Sequence, residues 1–315
     1  MNIAIIIPAY NEEATIRNVI LDFHKEAPNA AVHVIDNNSS DHTGEIARQT
    51  ITELNCMGGV FRVTRQGKAN AVRWAFRHID ADIYVLVDAD STYPAKDIHK
   101  LVALVAEGEA DMAVGNRLAG DNFQEKNPRR FHHVGNRLVC GLINLLFDAD
   151  LKDIMSGYRA FSRAFVKNYP IICEGFELET EMVLHALDKR FVIREMPVKL
   201  ESRPAGSQSK LHTFRDGWKV LKTIFWIFRH YRPLAFFGWL AFAFFVAGLA
   251  TGAWPIYEYL RFNYVFKVPS AILASGLMVF SLVSFAIGLI LDTIATHERM
   301  QFERQFLQYR GGPST

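Results

Sequence analysis

Cysteine is scarce: Cys56, Cys140 and Cys173 are the three in 315 residues, and they lie far apart. That odd, scattered set offers neither a disulfide framework nor a zinc site, and the thiols read as reduced and buried. The opening residues, Met-Asn-Ile-Ala-Ile-Ile-Ile-Pro, lack the basic leader and long apolar core of a signal peptide, so the first domain is expected in the cytoplasm. Charge of one sign is in no surplus. A formal net charge of +2 decides little, and no nucleic-acid partner is expected. Around Gly67-Lys68 both the full Walker spacing and the Gly-x-Gly-x-x-Gly fingerprint are missing, which sets aside ATPase and dinucleotide-oxidoreductase readings. Charge is also absent from two long apolar runs, Leu234 to Trp254 and Val268 to Leu291, of 21 and 24 residues.

What is present before residue 212 alternates strand with helix. Ile3 to Ile7, Val32 to Ile35, Gly58 to Thr64, Ile83 to Val87 and Met112 to Gly115 read as strands. Between them lie amphipathic helices, the first with Ile16, Val19, Ile20 and Phe23 on one face. Such alternation predicts a parallel, helix-flanked sheet. Ile83 to Val87 is continuously apolar, the pattern of a strand buried on both faces, and Asp88-Ala89-Asp90 begins where it stops. Two carboxylates so placed repel unless a cation lies between them, and a divalent metal holding a diphosphate is the economical reason for the pair. A solvated turn is the plain alternative. Tyr10, Glu12, Asp36, Lys68 and Asp88 are expected at the same sheet edge, where ligands bind in open α/β folds, as a set able to hold a nucleoside by base, ribose and phosphate. Asn11 and Asp41 are equally read as helix caps, and the acids at Glu177 and Glu179 as complements to a helix dipole.

The polar stretch from Gly120 to His133 contains Arg129-Arg130 and His132-His133, either a solvated loop or an anion-binding one, since guanidinium groups match phosphate oxygens bidentately. Arg203-Pro-Ala-Gly206-Ser-Gln-Ser209-Lys210 reads as a basic loop. From Thr213, Phe214, Trp218, Leu221, Phe225 and Phe228 share one helical face while Arg215, Lys219 and Lys222 share another, the pattern of a helix lying in a membrane interface. Each apolar run that follows is long enough to cross a bilayer of roughly 30 Å. Basic residues gather before the first run and after the second, which places both ends in the cytoplasm and the loop from Tyr257 to Lys267 outside. The expected organisation is a catalytic domain over 1–212, a juxtamembrane amphipathic helix over 213–232, two transmembrane helices within 233–294 and a cytoplasmic tail over 295–315.

These motifs, in the order Pro8-Ala-Tyr-Asn-Glu-Glu13, Asp36-Asn-Asn-Ser-Ser-Asp41, Gly67-Lys68, Asp88-Ala-Asp90, Gly115-Asn-Arg117, Ser156-Gly-Tyr-Arg159 and Arg203-x-x-Gly206-x-x-Ser209-Lys210, resemble glycosyltransferase family 2, in its dolichol-phosphate mannosyltransferase-like branch of polyprenyl-phosphate glycosyltransferases. The resemblance covers nearly the whole chain. It implies an α/β GT-A domain, Rossmann-like and nucleotide-sugar-binding, and a membrane-bound enzyme of the inner cell membrane that transfers a hexosyl or N-acetylhexosaminyl group with inversion. The donor would be a UDP- or GDP-sugar, the acceptor a polyprenyl phosphate, and the cofactor Mg²⁺ or Mn²⁺ at Asp88 and Asp90. Donor contacts are implied at Pro8, Tyr10, Glu12, Asp36, Lys68, Asp88, Ala89, Arg203, Ser209 and Lys210, acceptor contacts at Arg117, Arg129, Arg130 and His133. Asp88, Asp90, Arg117, Arg203 and Lys210 are the expected catalytic set, Arg117 being placed on a strand next to that of the Asp pair. Thr92 stands where this branch commonly has a metal-assisting Gln, and Asn37 where many relatives have a second acid. The Gln-x-x-Arg-Trp motif of processive synthases is missing, its nearest match, Asn70 to Trp74, lying ahead of the Asp pair. A scaffold that keeps a sugar-nucleotide fold without catalysis is the competing reading, and a homo-oligomer is left open.

Overall fold

The computed structural model describes residues 1–117, 130–173, 178–200 and 225–310, without the side chains of 130–136 and 309–310. The chain divides into two compact units, Met1–Gly217 and Trp218–Thr315.

The central strands of the first unit are buried because they carry no polar alternation. In β1 (Ile3–Ala9) Ile5, Ile6 and Ile7 are fully buried, and in β4 (Ile83–Leu86) every residue is. Helix α1 (Ile16–Glu26) buries Ile16, Val19, Ile20 and Phe23 along one face, as its 3–4 spacing predicts. After β2 (Ala31–Asp36), α2 (Thr43–Glu53), β3 (Gly58–Arg62) and α3 (Lys68–His78) come β4, α4 (Ile98–Ala106), β5 (Met112–Asn116), α5 (Arg130–Phe147), β6 (Arg159–Ser162), α6 (Arg163–Asn168), α7 (Leu178–Asp188) and β7 (Ile193–Pro197). The strands form one sheet in the order β3-β2-β1-β4-β6-β5-β7.

The sheet is mixed, not parallel as the alternation predicts. β6 runs antiparallel to both β4 and β5, its Arg159 pairing with Leu86 and with Val114. The chain re-enters at the edge where β4 ends, without first crossing back over the sheet, so β6 must run the other way. It also separates β4 from β5, which corrects the expectation that Arg117 follows a strand adjacent to that of the Asp pair.

In the second unit residues 225–231 are helical, while residues 213–224 of the expected interface helix lie outside the described residues. Two long helices follow, α8 (Pro233–Phe262) and α9 (Val268–Arg310). Both are long and apolar enough to cross a membrane, and only 11% and 17% of their most apolar windows are buried, unlike the core helices of a soluble protein. They pack closely where side chains are small: Gly248 of α8 faces Leu277 and Met278 of α9, and Gly252 faces Ala274. Ser281 Oγ donates across the pair to the Ala241 carbonyl at 2.8 Å. At the turn, Glu258 accepts from Trp254 Nε1 at 2.8 Å and from the amides of Phe266 and Lys267 at 2.9 and 3.1 Å, satisfying donors at the head of α9. α9 does not stop where the apolar run does. No Gly or Pro interrupts residues 292–310, so the expected tail is helical through Arg310.

Candidate active site

The parallel register Ala9↔Asp36 and Ile6↔Leu86 brings the C-terminal ends of β1, β2 and β4 to one sheet edge. Their loops are sewn together by side chains. Asn11 amide donates to Ser39 Oγ at 3.1 Å and Glu12 amide to Thr43 Oγ1 at 2.8 Å, while Asn11 Oδ1 accepts from the Ser40 amide at 2.8 Å. Asn11 therefore joins two loops and does not cap α1, whose N-cap is Thr15. Asp41 takes both the amide and the hydroxyl of Thr43 at the head of α2, close to its expected capping role. Buried Asn37 accepts from the Gly67 amide at 2.6 Å and donates to the Arg65 carbonyl at 2.8 Å, fixing the loop before α3. Thr15 Oγ1 donates to the Ala89 carbonyl at 2.6 Å, pinning the middle of the Asp pair to α1. Tyr10, half exposed, and Asp36, buried with its carboxylate on the Ser39 amide at 2.9 Å, lie on this edge with Pro8 and Glu12.

The two acids of the pair have different surroundings. Asp90 is buried, and one oxygen accepts from Thr92 Oγ1 at 2.6 Å and from the Thr92 amide at 3.2 Å. Asp88 accepts from Lys68 Nζ at 2.5 Å, and the same ammonium donates to Glu179 Oε1 at 2.5 Å. Burial alone would lower the Lys68 pKa, but Asp88 and Glu179 outweigh it and raise it, so the ammonium is fixed in its charged form. A cation thus does lie at Asp88, and the chain supplies it. The other Asp88 oxygen rests against Gly157: a Cβ there would sit 2.2 Å from Oδ2, so any larger residue at that position would displace the Asp88 carboxylate. Gly157 is held by its amide donating to Tyr93 Oη at 2.9 Å. The loop behind it hangs on Arg159, fully buried, whose guanidinium donates to the carbonyls of Ser156 at 2.9 Å and Ile154 at 2.6 Å.

Two hard carboxylates on one turn fit a divalent cation such as Mg²⁺ or Mn²⁺. Among the described residues no third His, Cys, Asp or Glu joins them, so ligand oxygens and water would complete the shell. Thr92 offers a hydroxyl to Asp90 rather than a further carbonyl oxygen ligand.

Arg117 directly follows β5 and meets Asp153, which is fully buried, by Nε at 2.7 Å, Nη2 at 2.8 Å and its amide at 3.0 Å. Burial would lower the Arg117 pKa, but Tyr93 and Asp153 raise it; burial would raise that of Asp153, but Arg117 holds it below the ordinary carboxylate range. Arg130 opens α5, and His133 lies in its first turns. Arg129, Arg203, Ser209 and Lys210 lie outside the described residues, as does the Gly175 to Glu177 segment.

A sequence profile described as "Glycosyl transferase family 2" matches residues 4–169, the span that holds β1 to β6 and the Asp pair. The chain belongs to this family. The family 2 glycosyltransferase is 30% identical over 306 residues to "Glycosyltransferase AglJ" of Haloferax volcanii, covering 96% of each. It is 29% identical over 234 residues to "Dolichol-phosphate mannosyltransferase" of Pyrococcus furiosus, covering 73% of this chain and 62% of the relative. In fold it is similar to glucosyl-3-phosphoglycerate synthase of Mycobacterium tuberculosis, solved with Mn²⁺ and UDP-glucose, at a TM-score of 0.55 and 20% identity over 72% of this chain and 78% of that one.

Two members of the glycosyltransferase's site carry weak sequence signals. Glu179 reads as a helix-dipole acid, and nothing local joins it to Lys68, 111 residues away. Asp153 lies in a motif-bearing stretch, but only the fold puts it on Arg117.

Proposed function

We propose that this glycosyltransferase is membrane-anchored and moves a hexosyl or N-acetylhexosaminyl group from a UDP- or GDP-sugar to a polyprenyl phosphate. The observation that carries the reading is the pairing, in one chain, of the Asp88–Asp90 edge with two apolar helices of 30 and 43 residues; the dolichol-phosphate mannosyltransferase relative supports it. A lipid phosphate has a second pKa of about 6, so near neutral pH its oxygen is already largely anionic and needs little general-base help. Positioning and charge stabilisation then do most of the work. Pro8, Tyr10, Glu12, Asp36 and Ala89 line the donor's nucleoside. Arg203, Ser209 and Lys210 are assigned to its diphosphate on their basic and hydroxyl chemistry. Asp88 and Asp90 would hold a divalent cation, which would neutralise charge on the leaving nucleoside diphosphate. Arg117 serves the acceptor phosphate as a fixed charge, because its Nε–Nη2 edge is committed to Asp153, and Arg129, Arg130 and His133 supply the remaining contacts. Attack in line at the anomeric carbon inverts its configuration.

The test is transfer of label from UDP- and GDP-sugars, with Mn²⁺, into an organic-extractable lipid by the purified full-length protein supplied with polyprenyl phosphate. Label that partitions only into water-soluble product, across all donors, overturns the lipid acceptor.

A further inference from the structure

A metal at Asp88 meets an obstacle already in place. Asp88 Oδ1 holds the Lys68 ammonium at 2.5 Å, and Oδ2 lies against the Gly157 backbone. Oδ1 binds a dication poorly while Lys68 stays, since two cations on one carboxylate oxygen repel. Lys68 has somewhere else to go. Glu179 Oε1 sits at 2.5 Å from the same nitrogen, with its side chain only 8% exposed, so it needs that cation in either state.

We propose that Lys68 holds the metal's place at Asp88 in the unloaded site and passes wholly to Glu179 when a divalent cation binds, which makes Glu179 a positioning residue for metal loading. The proposal rests on the reading of Asp88 as a metal ligand. Charge supports it: Lys68, Asp88, Asp90 and Glu179 sum to −2, which a dication cancels while Lys68 stays local. The scaffold supports it too. α3, which carries Lys68 in its first turn, is tied to the segment leading into α7: Arg73 donates to the carbonyls of Ile171 at 3.1 Å and Cys173 at 2.8 Å, and Glu181 accepts the amides of Ile172 at 3.0 Å and Cys173 at 2.9 Å. With both helices tied, the exchange is a shift of one ammonium and not of an element.

The two partners of Lys68 then act on metal affinity in opposite directions. In Glu179→Gln the ammonium loses its alternative and stays on Asp88, so Mn²⁺ binding weakens, on the order of tenfold for a coupling of ordinary size. In the double variant Lys68→Met/Glu179→Gln no cation competes, no buried acid is stranded, and Mn²⁺ binds at least as tightly as to the wild type. Local damage would weaken both. The measurement is Mn²⁺ titration of the full-length protein in detergent, without nucleotide, followed by electron paramagnetic resonance, with Asp88→Asn as a third variant. If Asp88→Asn loses Mn²⁺ but the two Glu179 variants bind alike, the exchange is overturned and the metal assignment stands. If Asp88→Asn binds as the wild type does, the metal assignment falls and the exchange falls with it.

Discussion

A guanidinium with two nitrogens on one buried carboxylate keeps its orientation as long as that carboxylate keeps its charge. Removing Arg117 would therefore do two things at once. Arg117→Ala strands Asp153, which is 0% exposed, at a cost of roughly 3–5 kcal/mol for breaking a buried pair from one side. It also removes charge from the proposed acceptor site. The expected result is a lower thermal midpoint together with slower lipid glycosylation, while nucleotide-sugar affinity measured by calorimetry stays near wild type. A midpoint that does not move would show the pair to be energetically idle; a fall in donor affinity matching the fall in rate would move Arg117 into the nucleotide site. At this scale the sequence was legible where chemistry is local: Asp88 and Asp90 follow their strand, and Lys68 follows its glycine. It was silent where two side chains meet only through the sheet, as at Lys68–Glu179 and Arg117–Asp153.

Among the elements, α7 joins the site to the core. Glu179 opens it on the site side, and His185 lies among Phe165, Tyr169 and Phe191 with ring centroids 5.0–6.0 Å away. Burial, helped by nearby Lys189 and opposed by Asp188, lowers the His185 pKa from 6.5 to about 4. Between those values the unfolded chain binds the proton and the folded one does not. Stability is therefore fully present above pH 6.5 and declines as pH falls toward 4, by at most about 3 kcal/mol from this residue. His185→Phe is expected to flatten the dependence of the thermal midpoint on pH across that window; an unchanged slope would assign the acid sensitivity elsewhere. β1 and β4 were legible because an unbroken apolar run has few other ways to fold. β6 was not. Arg-Ala-Phe-Ser puts a charge into a buried strand, and that becomes tolerable only once the carbonyls of Ile154 and Ser156 are seen around the guanidinium.

For the molecule as a whole, the presence of two long apolar helices followed from composition, while their lengths and ends did not, because Pro255 sits inside α8 without ending it and the polar stretch after residue 291 continues α9. Orientation is a separate matter, argued from basic residues flanking the apolar runs. In a variant lacking Cys56, Cys140 and Cys173, a cysteine at Asn263 is expected to react with an impermeant thiol reagent in intact cells, and one at Ser207 to be protected. The opposite labelling would invert the topology and take the donor site away from cytoplasmic nucleotide sugars.

α9 runs 43 residues without a break, about 64 Å at 1.5 Å per residue, or roughly twice a hydrocarbon core. Ser281 bonds to α8, Gly288 rests on Phe237, and Asp292, Ala295, Arg299, Phe302 and Phe306 are the described residues that recede from solvent further on. Positions 281, 288, 295 and 302 are spaced by sevens, so the projecting end is in phase with the part inside the apolar run. A rod with no hinge transmits torsion. Losing one residue near Thr296 would swing everything beyond it by about 100° and turn Phe302 and Phe306 out to water, whereas losing seven would shorten the rod by about 10 Å and leave the same side facing inward. Length is negotiable in such a shaft; angle is not.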